Sequence, residues 1–89
     1  MQGEKADLRR YRENLDDERN AAYLYHALAG IEKNPKIASV YRRLAETERG
    51  HAEIWAERIR AAGEVIPDFR PSWRTRAVIW LARHFGIHA

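Results

Sequence analysis

Three ionisable residues of this 89-residue chain interrupt otherwise apolar helical seams: Glu18 in the first half, and Glu48 and His51 in the second. A carboxylate left unpaired in such a seam costs several kcal/mol, so it calls for a proton, a cationic partner or a metal. Arg19 and Arg49 are next in sequence, but each lies about 100° round its helix from the seam. A divalent metal suits the set better. Glu48 and His51, at i and i+3, project from one helix face, and carboxylate-bridged di-metal bundles take a Glu-x-x-His pair from one helix and a lone Glu from another.

The elements that must position these groups follow from spacing. Leu8, Tyr11, Leu15, Glu18, Ala22, Tyr25 and Ala29 recur at alternating steps of three and four, which is a heptad seam containing a single acid. A first helix is expected from about Lys5 or Asp7 to about Glu32, with Glu4 or Asp7 supplying negative charge near its N-terminus. Asn34 is the expected N-cap of a second helix, Pro35 its first residue and Gly63 its C-cap. Ile37, Tyr41, Leu44, Glu48, His51 and Trp55 repeat the seam, and Ile59 and Ala62 extend it. So short a connection folds the two helices into an antiparallel hairpin. Glu18, Glu48 and His51 then share one level, roughly 22 to 26 Å from the turn at 1.5 Å per residue.

One hairpin carries half of a di-metal donor set and leaves one side of its apolar stripe uncovered. Two hairpins related by a two-fold axis would form a four-helix bundle and bring two copies each of Glu18, Glu48 and His51 to one centre. Their four carboxylates would balance two divalent cations. Dimerisation would complete the core and the donor set together, and a chain this short otherwise buries too little to be stable without staples.

Other residues read more plainly. Glu46 and Glu53 fall at outward heptad positions, and Glu13, Asp16, Glu32 and Glu57 read as solvated surface. Asp17, beside Glu18 but off the seam, is a candidate auxiliary position on the metal's way in. His26, His84 and His88 lack partners at ligand spacing and suit surface or interface roles. Tyr25, two turns beyond Glu18, suits either an outer position around the metal or plain packing, and packing is the default for Tyr41 and Trp55. Gly50 costs about 1 kcal/mol relative to Ala inside a helix. Whether it serves close helix approach is not decided by spacing.

Composition excludes several classes. There are no cysteines, which removes disulfides, thiolate zinc sites and cysteine nucleophiles. The net charge is +3, yet residues 1–63 carry 12 basic and 11 acidic groups, against 4 and 2 beyond them. So even a body argues against a nucleic-acid partner, which needs concentrated positive charge. No apolar run reaches the roughly 18 residues of a membrane span, and the N-terminus as given has no secretory signal.

The chain divides into residues 1–63, the hairpin with half of a di-metal site, and residues 64–89. The second part opens with a linker broken by Pro67 and Pro71, followed by a short helix capped by Ser72 and ending near Gly86. That helix puts Trp73, Ala77, Trp80, Leu81 and His84 on one side, with Arg74, Arg76 and Arg83 elsewhere. It suits a membrane interface and equally a fold back onto the bundle or an oligomer contact. The expected fold is all-α: an antiparallel two-helix hairpin plus a short C-terminal helix, dimerising into a four-helix bundle.

Asn14-Leu15-Asp16-Asp17-Glu18-Arg19 through Tyr25, with Tyr41-Arg42-Arg43-Leu44-Ala45-Glu46-Thr47-Glu48-Arg49-Gly50-His51-Ala52, resembles a known family. It is the rubrerythrin-like, ferritin-superfamily domain at the N-terminus of bacterial membrane-bound ferritins, which precedes a vacuolar-iron-transporter-type membrane region. The resemblance covers about residues 8–63, and Phe69 to Arg76 looks like that family's connection into the membrane. The spacing of Glu18, Glu48 and His51 is also similar to that of encapsulated ferritins, which form their iron site by pairing two hairpins, although no encapsulin-targeting tail is evident. The resemblance implies a ferritin-like bundle and a di-iron ferroxidase, with Fe²⁺ held by Glu18, Glu48 and His51 from two chains and oxidised by oxygen or peroxide. Iron or manganese suits carboxylates with one imidazole per metal, and manganese or zinc would be substitutes. It further implies a homo-oligomer, a membrane transporter domain as partner, and a cytoplasmic site at the inner face of the inner membrane. The chain stops at Ala89 before any transmembrane helix, as an excised domain or a free-standing relative would. Two other readings of the polar layer remain: a metal-sensing or metal-responsive oligomerisation module without significant turnover, and a metal-free dimerisation domain in which the layer sets register.

Overall fold

A computed structural model describes residues 2–88, which form three α-helices: α1 (Gln2–Ile31), α2 (Pro35–Ala61) and α3 (Trp73–Phe85). Helix α1 begins earlier than expected, since no proline precedes Leu8 and Glu4 places a carboxylate in the first turn. Between α1 and α2 the Asn34 side chain accepts from the Lys36 and Ile37 N–H groups at 2.9 and 3.3 Å, and Pro35 opens α2. At the other end of α2 the capping residue is Ala62. Gly63 follows at φ +79°, donating to the Arg60 carbonyl at 2.8 Å, while Glu64 N–H reaches the Ile59 carbonyl at 3.2 Å. This Schellman arrangement needs the left-handed conformation that glycine adopts without a Cβ penalty.

α1 and α2 lie antiparallel, as the order of their cross-helix aromatic pairs requires: Tyr11 stacks on Trp55 and Tyr25 on Tyr41. The seam on α1 is largely as spacing predicts, with Leu15, Ala22 and Ala29 buried. On α2 the stripe buried against α1 is displaced by one position. Ala38, Ala45 and Ala56 are buried there together with Ile59, which the seam did predict, whereas Leu44 and His51 are exposed. Alanines let the backbones approach closely, and rotation about α2 carries the larger seam residues Ile37, Leu44 and Trp55 to one flank.

The hairpin has two broad faces. At about 100° per residue, Glu18, Ala21 and Tyr25 of α1 share a face with Ile37, Leu44, Glu48 and His51 of α2. Arg19, Tyr23 and His26 share the opposite one with Arg49, Glu53 and Arg60, and these six line one groove. The linker returns along that second face. Ile66 packs on the Leu15–Ala56–Ile59 core, the Pro67 carbonyl accepts from Arg19 at 2.6 Å, and Phe69 meets Tyr23 with ring centroids 5.7 Å apart.

α3 then packs on α1 alone. Its N-cap Ser72 accepts from Thr75 N–H, and Thr75, Ile79 and Ala82 face α1. Asn20 fastens the joint, its Oδ1 accepting from Ser72 N–H at 2.8 Å and from the Thr75 hydroxyl at 2.9 Å. Beyond α3, Gly86 turns the chain at φ +83° and His88 Nε2 comes within 2.7 Å of Glu32 Oε2. Glu32 is therefore not solvated surface as spacing suggested: its side chain is 4% exposed beneath the returning tail.

The outcome is a slab 49 × 23 × 18 Å in extent. Among the described residues, the largest fully buried side chains are Leu15 and Ile59. Two helices side by side make a single layer, and domains bury their core between two.

Candidate metal centre

Glu18, Glu48 and His51 meet on the hairpin face that neither the linker nor α3 covers. Antiparallel packing brings position 18 of α1 opposite positions 48 and 51 of α2, and the i, i+3 spacing turns Glu48 and His51 the same way. His51 Nδ1 stands 3.6 Å from Glu18 Oε2 and 3.8 Å from Glu48 Oε2. One donor atom from each residue falls within 4.8 Å of the others.

Burial is graded across the set. The Glu18 and Glu48 side chains are 25% and 22% exposed, whereas that of His51 is 51% exposed. The carboxylates thus sit in the slab and the imidazole stands at its rim. The neighbouring cations are engaged elsewhere, Arg49 with Glu46 on the outer side of α2 and Arg19 with the linker. Among the described residues, His51 is the only basic side chain within salt-bridge distance of these two partly buried carboxylates.

The layers on either side are aromatic. One heptad toward the open end lies the Tyr11–Trp55 stack, its centroids 5.8 Å apart, with the Arg58 guanidinium over both rings. One heptad toward the turn lies the Tyr25–Tyr41 stack at 6.3 Å. The rings bound the polar layer above and below along the seam, while its outer side is open, with His51 half exposed. Arg58 was missed by spacing, and its only signal is its place one turn beyond Trp55.

The donor chemistry fits a divalent transition metal. Two carboxylates and an imidazole suit Fe²⁺, Mn²⁺ or Zn²⁺, and ligands at about 2.0 to 2.2 Å from one ion stand roughly 3 to 4 Å from each other. The two His51 separations already fall in that range, and the whole set lies within 4.8 Å, so side-chain rotation of under about 1 Å closes it on one ion. Of the other candidates, Asp17 lies off the cluster, exposed, beside Asp16, Asn20 and the first turn of α3. His26 lines the groove on the opposite face, and His84 stacks on Trp80, its Nδ1 2.9 Å from the Trp80 carbonyl oxygen.

A family model described as Rubrerythrin matches residues 12–79, which include every residue of the cluster and the hairpin turn. The chain belongs to the rubrerythrin family. Rubrerythrin-like domains carry a ferritin-like helical fold and are often di-iron oxidoreductases. Within this rubrerythrin domain the matched span also takes in the linker and the first half of α3. No match is found among curated proteins or among solved structures.

Proposed function

We propose that two copies of this chain pair through the faces that carry Glu18, Glu48 and His51, forming a four-helix bundle with a di-iron ferroxidase centre on its two-fold axis. The carrying observation is the placement of the cluster. The chain covers the opposite face of its hairpin with its own linker and leaves this one open, with a polar layer holding half of a di-metal donor set. Val40 and Leu44 are exposed on the same side and supply apolar contact for a second copy. An isologous contact brings two Glu18, two Glu48 and two His51 together, and four carboxylates balance two Fe²⁺.

In this reading Fe²⁺ is the substrate. Two Fe²⁺ each give up one electron, and dioxygen takes up both electrons and two protons to leave as hydrogen peroxide. The carboxylates favour the ferric product by charge. The imidazoles complete the donor set, and the aromatic layers bound the centre along the seam. Iron storage, detoxification or delivery to a vacuolar-iron-transporter-type membrane domain on the cytoplasmic side are the roles such a centre would serve, as in membrane-bound ferritins. No described helix is long and apolar enough to cross a membrane.

The test is anaerobic loading with Fe²⁺ followed by oxygen. Ferric absorbance should grow in the parent protein and not in Glu48→Ala. Tight metal binding with no ferric product would instead favour a metal-responsive oligomerisation module.

A further inference from the structure

Helix α3 has two apolar sides, and the fold uses one. Thr75, Ile79 and Ala82 are buried against α1, while Trp73, Trp80 and Phe85 are 69%, 53% and 65% exposed, and Val78 and Leu81 are exposed with them. At about 100° per residue these five residues and Ala77 span an outward arc of about 160°. Five large apolar side chains laid bare on a helix of 13 residues exceed scattered surface hydrophobicity and mark a contact surface.

The charge around the arc is of one sign. From Phe69 to Ala89 the sequence has Arg70, Arg74, Arg76 and Arg83 and no Asp or Glu. Among the described residues none of the four lies within salt-bridge distance of a carboxylate, though Asp16 and Asp17 sit near the first turn of α3. Arg76 and Arg83 flank the packed side, and the Arg74 guanidinium lies 5.5 Å from the centre of the Trp73 ring.

We infer that α3 is an in-plane docking helix for an anionic lipid surface, inserting Trp73, Trp80, Leu81 and Phe85 while its arginines meet lipid phosphates. At 1.5 Å per residue the helix is about 20 Å long, too short to cross a hydrocarbon core of about 30 Å, so it lies along the interface. Tryptophan favours that depth because its ring is apolar and its N–H is not. A second copy is the poorer occupant, since a two-fold contact through this arc would bring Arg74, which falls within it at about 100° from Trp73, against its own copy with no carboxylate on α3 to meet either. The inference is independent of the metal reading. α3 contacts α1 only, and its anchor Asn20 lies about 160° round α1 from Glu18.

The experiment uses the full chain, free of metal, co-sedimented with phosphatidylcholine vesicles with and without about 30% phosphatidylglycerol. Binding should be about tenfold tighter on the anionic vesicles and should weaken about tenfold at high salt, as unpaired arginines near a charged surface require. Trp73→Ala with Trp80→Ala should weaken it about tenfold with helicity unchanged, because both side chains are exposed. Arg74→Gln, Arg76→Gln and Arg83→Gln together should abolish the anionic preference, and Ile54→Ala, an exposed apolar change on α2, should do nothing. Absence of binding, equal binding to both vesicles, or insensitivity to the tryptophan pair would overturn the inference. So would a lipid-free assembly that dissociates in the tryptophan variant, which would make this face a contact between copies.

Discussion

His51 on α2 holds its Nδ1 3.6 Å from Glu18 Oε2 on α1, across the hairpin and at the level where Glu48 also arrives. Thirty-three positions separate the two residues, and the antiparallel return closes that gap. The contact joins the half-exposed rim of the layer to its partly buried interior.

Glu18→Gln keeps the shape of the side chain and removes its charge. The metal-free protein should be no less stable, because two neighbouring carboxylates repel each other. Metal affinity should fall about tenfold or more, and the rise in melting temperature on adding Fe²⁺ or Mn²⁺ should shrink with it. Calorimetric titration and thermal melts of both proteins check this. A variant that binds metal as well as the parent would remove Glu18 from the donor set.

Gly50 is a different kind of position. A Cβ built there meets no atom within 4 Å, and the residue is exposed in mid-helix away from the metal face. Close helix approach is therefore not its role, and Gly50→Ala should stabilise the protein by about 1 kcal/mol, read from urea unfolding.

Much of the candidate cluster was legible because Glu18, Glu48 and His51 break apolar seams whose period is visible without a structure, and Asn34-Pro35 and Gly63 mark the ends of α2. What was not legible depends on tertiary return. The displacement of the α2 stripe onto Ala38, Ala45 and Ala56 follows from how closely two backbones pack, which a heptad count does not measure. Glu32 looks like surface until the tail beyond Gly86 folds over it. Asn20 gives no signal until the Ser72 cap arrives to use its oxygen.

Asn20 holds α3 in place by accepting two hydrogen bonds that span more than fifty residues. Asn20→Ala should cost about 1 to 3 kcal/mol, since it strands the partly buried Ser72 N–H and leaves the Thr75 hydroxyl only its Ser72 hydroxyl partner. Hydrogen exchange should rise in residues 73–85 and change little across α2. Equal acceleration everywhere would mean that the clamp is global rather than local.

Acid should loosen the hairpin tip. The Asn34 N–H hydrogen bond and the His88 ring hold the Glu32 carboxyl below its ordinary value, and the Arg60 guanidinium does the same for Glu53. A depressed folded value adds stability that is complete above the unfolded chain's value of about 4.3 and is lost as pH falls through the folded value. Glu32→Gln should therefore lose less melting temperature than the parent between about pH 7 and about pH 3. The dependence should persist in part through Glu53. Parallel melting curves for the two proteins would show that the Glu32 contacts do not form.

The shared centre is tested most directly by native mass spectrometry of the full chain loaded anaerobically with Fe²⁺. Assemblies with an even number of chains and two metal ions per pair are predicted, with Glu48→Ala carrying none. One metal ion held by a monomer, or a dimer indifferent to iron and free of it, would contradict the account.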